Sequence, residues 1–148
     1  MATLNQIIQQ IEDIGNAHQQ IKTVFYGSAF DLLSKGSDVQ YPVMLFDLSN
    51  ASISGKVLSL SFSIFFMDRM LPEETNYNDV LSDQLLTAQD IIAQLDYNDF
   101  DFTLQESATL NSFMENTPDL LAGWQTDITL DLPYIYNRCQ VPSDYNYS

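Results

Sequence analysis

The chain has 148 residues, 20 acidic and 5 basic, with a formal net charge of −15 and 45% hydrophobic residues. That apolar content excludes disorder, and the length can bury a core of one domain, spanning 1–148. The charge excludes electrostatic capture of nucleic acid, because phosphates are repelled.

His18 and Cys139 are the only histidine and cysteine, which excludes an intrachain disulfide and a cysteine-based zinc site. The N-terminal stretch MATLNQIIQQIED lacks a basic region followed by a continuous apolar one, so no signal peptide is expected there. Apolar runs such as Ile64 to Met67 are far too short to span a membrane. A soluble protein with no membrane partner is expected.

The first element reads as a helix over about residues 1–18. Leu4, Ile7, Ile8, Ile11 and Ile14 share one face at helical period. Thr3 and Gln6 have the spacing of a capping box, and Gly15-Asn16 lies near the stop. Lys22 to Tyr26 reads as a short strand, Gly27 as a bend and Ser34 to Asp38 as a loop. YPVMLFDLS, from Tyr41, is a nearly continuous apolar run, the pattern of a strand buried on both faces, with Pro42 tolerated at its start. A turn around Ser54-Gly55 joins it to GKVLSLSFSIFFMDRM, giving a long antiparallel hairpin.

In that second arm Leu58, Leu60, Phe62, Ile64 and Phe66 alternate with Ser59, Ser61 and Ser63 before the pattern turns apolar on both sides. Such alternation gives one core face and one face of serines. A helix is expected over about 76–96, with Pro72, Glu73, Glu74, Asp79 and Asp83 favouring its N-terminal region. Its main stripe reads Leu81, Leu85, Ala88, Ile92 and Leu95, broadened by Val80, Leu86 and Ile91. Phe100, Phe102 and Leu104 alternate with Asp101 and Thr103. Trp124, Thr126, Ile128, Leu130 and Leu132 alternate with Gln125, Asp127, Thr129 and Asp131. Residues 105–123 carry no clear pattern beyond a Pro118-Asp119 turn signal, and 134–148 form an aperiodic tail rich in tyrosine. Strands and helices are segregated, so the expected class is α+β: an antiparallel sheet with two main helices on one face.

Little in the chain points to chemistry. No G-x-S-x-G is present, and the three serines have the spacing of a pleated face rather than a nucleophile turn. Asp96, Asp99 and Asp101, with Asn98, crowd one junction, but the glycine and closing glutamate of a calcium loop are missing. A solvated junction is the plainer reading; a small acidic adaptor domain binding calcium there is the alternative function. Neither G-x-G-x-x-G nor a P-loop occurs, and Cys139 has no base near it in sequence. No enzymatic activity, cofactor or resident metal is expected. Tyr134, Tyr136, Tyr145 and Tyr147 lie outside clear core stripes and read either as interface or as ordinary packing.

The ordered segments TVFYGSAFDLL, YPVMLFDL, SGKVLSLSFSIFFMDRM, NYNDVLSDQLLTAQDIIAQL, AGWQTDITLDLP and CQVP resemble a family of small neck and tail proteins of tailed bacteriophages. The similarity is to those of crAss-like phages and related prophages of gut Bacteroidetes, and runs from about Val24 to Pro142. Its most specific parts are Asp68-Arg69, then Asn78 to Asp83, and Gly123-Trp124.

The resemblance implies a tail-terminator-like fold in a virion ring protein, a head-to-tail connector between portal and tail. It also implies synthesis in the host cytoplasm. The ring consists of copies of itself, twelve if it matches the portal and six if it caps a sixfold tail. Genomic DNA passes the channel without specific binding, and an acidic wall keeps it from sticking. No catalytic residues are implied. Ser59, Ser61, Ser63, Tyr134, Tyr136, Tyr145 and Tyr147 are then the candidate contacts between subunits.

Overall fold

The computed structural model describes residues 3–28, 39–71, 75–97, 100, 102–105, 108–116, 120–133 and 142–145. The chain opens with helix α1 (Leu4–Ala17), followed by strands β1 (Thr23–Tyr26), β2 (Val43–Ser54) and β3 (Val57–Arg69). Helix α2 (Tyr77–Leu95) comes next, then β4 (Thr103–Leu104), β5 (Leu110–Asn116) and β6 (Leu120–Pro133). The fold is α+β. Its six strands form one sheet in the order β1-β2-β3-β6-β4, with β5 also pairing to β6.

The capping box forms as its spacing predicts: Gln6 N–H donates to Thr3 Oγ1 at 3.2 Å, and Thr3 N–H donates to Gln6 Oε1 at 2.9 Å. From this start α1 buries Ile7 and Ile11, with Ile8 and Ile14 packed beside them. Gly15 allows close approach to the sheet, since a Cβ there would lie 2.9 Å from both Met44 Sδ and Val24 Cγ2.

β2 and β3 form the expected hairpin, paired from Val43↔Met67 to Ser54↔Val57, with a bulge at Ser49 and the turn at Gly55 and Lys56, where Gly55 takes φ 61°. β6 runs antiparallel along the other side of β3, from Val57↔Pro133 to Arg69↔Leu121. The alternation of β3 works as read. Leu60, Phe62, Ile64 and Phe66 are buried against Ile128, Leu130 and Leu132 of β6, under Ile7 and Ile11 of α1 and Ala88, Ile91 and Leu95 of α2. Both helices thus cover one sheet face. Val43, Met44, Leu45 and Phe46 are buried on both sides of β2, as their unbroken apolar run implies.

Three expectations are corrected. The sheet is mixed rather than antiparallel, because β1 lies parallel to β2 from Thr23↔Val43 to Tyr26↔Phe46. A parallel pair needs a connection of about a dozen residues or more, and the stretch from Tyr26 to Val43 is long enough.

The buried face of α2 is also rotated from the apolar stripe. Val80, Gln84, Thr87, Ala88, Ile91 and Leu95 are buried, Leu81, Leu85 and Ile92 flank them half-buried, and Leu86 is 58% exposed. Two polar residues are tolerated on that face. Thr87 satisfies its hydroxyl by donating to the Asp83 carbonyl at 3.1 Å, and Gln84 borders a cleft. Finally, Leu110–Asn116 is a strand, although its own pattern does not announce one; it is held by pairing with the first half of β6.

The loop read at 34–38 lies outside the described residues. So do Glu73 and Glu74, Asp99 and Asp101, and residues 134–141. In the tail, 142–145 has no regular secondary structure. No described helix is long and apolar enough to cross a membrane.

Candidate functional site

The serines of β3 meet a matching polar row on β6, with each pair directly opposite in register. Ser59 donates to Asp131 Oδ1 at 2.7 Å, and Ser63 donates to Asp127 Oδ1 at 2.6 Å. Between them Ser61 and Thr129 share a hydroxyl–hydroxyl bond of 3.1 Å. Two glutamines complete the array: Gln105 Nε2 donates to Asp131 at 3.2 Å, and Gln125 Nε2 to Asp127 at 2.8 Å. Hydrogen bonds to carboxylates are stronger than neutral ones, so these rows hold β3 to β6 beyond their backbone ladder.

This face cannot perform triad chemistry with the single histidine. His18 caps α1, on the helix-covered side of the sheet, whereas the serines point to the opposite side. The Gln20 N–H donates to His18 Nδ1 at 3.1 Å, which leaves Nε2 to carry the proton toward Asp90 at 2.9 Å. His18 therefore ties the end of α1 to α2.

The serine-bearing face changes character along its length. Toward the end of β3 it becomes a second apolar cluster of Val39, Val43, Leu45, Met67 and Leu121, with Phe25, Tyr41, Phe65 and Phe113 packed against it. Toward the hairpin turn it stays polar, and residues 49–57 are all exposed, including Ile53 at 59%, while β3 stays paired with β6 as far as Val57↔Pro133. From Asp47 to Ser54, β2 pairs with β3 on one side, and β1 does not reach its other edge.

At the far end of β3 an acidic cleft of about 410 Å³ opens between α2 and the strand ends. Asp68, Asp83 and Asp90 contribute carboxylates, Gln84 and Thr87 polar groups, and Pro42 and Leu86 apolar surface. Burial raises the Asp68 carboxyl above its ordinary 3.8; the Arg69 N–H that it accepts at 2.7 Å opposes this, and the charge of Asp83 adds to the rise. Among the described residues no group of three or more histidine, cysteine, aspartate or glutamate side chains could hold a metal ion.

Of the sequence-predicted contact residues, Ser59, Ser61 and Ser63 are brought together, half-buried and bonded to β6. Tyr145 is 69% exposed. Tyr134, Tyr136 and Tyr147 lie outside the described residues. Sequence reasoning missed the cleft, because its carboxylates come from positions far apart in the chain; the only signal was Asp83 beside the buried positions of a helix.

Gly123 and Trp124, the late pair in the resemblance, each have a structural role. A Cβ on Gly123 would overlap the Phe66 carbonyl oxygen of the neighbouring strand. The Trp124 indole donates from Nε1 to the Leu81 carbonyl at 2.8 Å, fastening α2 to β6.

No protein-family model matches the chain, and no curated protein matches it. Among solved structures, the chain aligns with the histidine kinase domain from the Erythrobacter litoralis EL346 blue-light activated histidine kinase. The two are 15% identical with a TM-score of 0.24, over 88% of this chain and 58% of that one. At that score the likeness carries no argument about fold or activity.

Proposed function

We propose that the protein is a non-enzymatic structural subunit that assembles as a ring in the neck or tail of a tailed bacteriophage, between portal and tail. The observation that carries this reading is the exposed end of the β2–β3 hairpin. Residues 49–57 are all exposed, and the edge of β2 from Asp47 to Ser54 lies beyond the reach of β1. A segment with so little of its surface buried in its own domain is suited to meeting another subunit. The resemblance from Val24 to Pro142 supplies the kind of assembly, and the net charge of −15 suits a channel wall past which DNA slides.

In this reading the protein is a component of the virion, and its partners are copies of itself and the adjoining portal and tail proteins. A portal-matched ring has twelve copies. Electron micrographs of the purified protein, together with micrographs of the virion neck, test it. Closed rings around a central channel are expected; a particle that stays monomeric, with no repeated copies around the portal axis, overturns the reading.

A further inference from the structure

Lys56 and the acidic cleft stand at opposite ends of one strand. Lys56 immediately precedes β3, and Asp68 is its penultimate residue. At about 3.3 Å per residue the two are roughly 40 Å apart, so they cannot meet within one chain.

Lys56 has no counter-charge among the described residues, and the carboxylates of the cleft are only partly matched. Lys56 is the only charged residue between Asp47 and Asp68, is exposed, and forms no ion pair among the described residues. The cleft has three carboxylates: Asp90 meets His18 at 2.9 Å and Asp68 feels the charge of Arg69, whereas Asp83 has no cation among the described residues. Gln84 gives an independent sign of a missing ligand: it is 2% exposed, borders the cavity, and its amide has no hydrogen-bond partner among the described residues. A buried amide is normally paired.

We infer that the Lys56 tip of one copy inserts into the acidic cleft of the next, its ammonium among Asp68, Asp83, Asp90 and the Gln84 amide oxygen. The three N–H donors of an ammonium match acceptors on several sides, and its methylenes lie against Pro42 and Leu86. Because tip and cleft are different surfaces at opposite ends of the subunit, the contact is head-to-tail, the type that generates rings when the rotation closes. It also brings together oppositely charged surfaces of a chain whose net charge of −15 otherwise makes copies repel. The inference rests on the ring reading and supplies its contact.

Charge exchange tests it. Sedimentation velocity over a concentration series would compare the wild type, Lys56→Glu, Asp83→Lys and the double variant. Both positions are exposed, and thermal melting checks that each variant folds. Each single variant is expected to raise the concentration needed for assembly by at least about tenfold, and the double variant to recover it. An equimolar mixture of the two single variants should recover it as well. Wild type that assembles, with Lys56→Glu assembling equally well, overturns the tip-in-cleft contact and leaves the ring standing. Wild type that stays monomeric at every concentration overturns the ring reading and this contact with it.

Discussion

Ser59 donates a 2.7 Å hydrogen bond to Asp131 across directly paired positions of β3 and β6, and Gln105 approaches the same carboxylate from the other side. The serine column is therefore one half of a cross-strand array. Ser59→Ala should destabilise the fold by about 1 kcal/mol, the usual net worth of such a bond. A double-mutant cycle with Asp131→Asn measures the coupling directly; additive effects would show that the pair contributes nothing to holding β6.

Gly123 tolerates no side chain. A Cβ there would overlap the Phe66 carbonyl oxygen and lie 2.8 Å from Met67 Cα, both rigid backbone. Gly123→Ala should lower stability by roughly 3 kcal/mol or more, or prevent folding. Gly55, with nothing within 4 Å of an added Cβ, provides the contrast. Its substitution meets only the strain of φ 61°, of order 1–2 kcal/mol. Urea denaturation of the two variants compares these directly.

The rotation of α2 separates two leucine-sized residues five positions apart. Ile91 is fully buried, whereas Leu86 is 58% exposed. Ile91→Ala should cost about 2–5 kcal/mol, and Leu86→Ala no more than about 0.5 kcal/mol. Equal losses in chemical denaturation would mean that the helix presents the face read from its apolar stripe.

Asp68 makes stability depend on pH. Burial holds its folded-state pKa above the ordinary 3.8. An acid shifted in that direction binds its proton more tightly when folded, so its ionised form opposes folding. The penalty is absent below 3.8, grows as pH rises from there through the folded-state value, and is fully present above it. Asp68→Asn keeps a side-chain oxygen for the Arg69 N–H and removes the charge. The variant should be more stable than wild type near neutrality, with the difference vanishing in acid. Denaturant midpoints across a pH series check this, and a difference independent of pH would rule out the charge as its cause.

The helix cap at Thr3, the isoleucine face of α1, the β2–β3 hairpin and the two faces of β3 were all legible in the sequence. Each follows from interactions between residues near in the chain, repeated at a fixed period, and burial of an oily face is dictated wherever the fold places its core. The parallel pairing of β1 was not legible, because strand direction depends on where a connection returns and not on the strand's own residues. Leu110–Asn116 becomes a strand through the ladder that β6 offers it. The apolar stripe of α2 misjudged its buried face because Thr87 is satisfied by its own helix and Gln84 opens on a cleft. The answer to the serine column came from Asp127, Thr129 and Asp131, and the register that sets these opposite Ser63, Ser61 and Ser59 exists only in the folded sheet. The acidic cleft likewise gathers Asp68 from a strand end and Asp83 and Asp90 from a helix. Local periodicity determined the inside of α1 and β3; only tertiary packing decided the buried face of α2 and which polar groups meet.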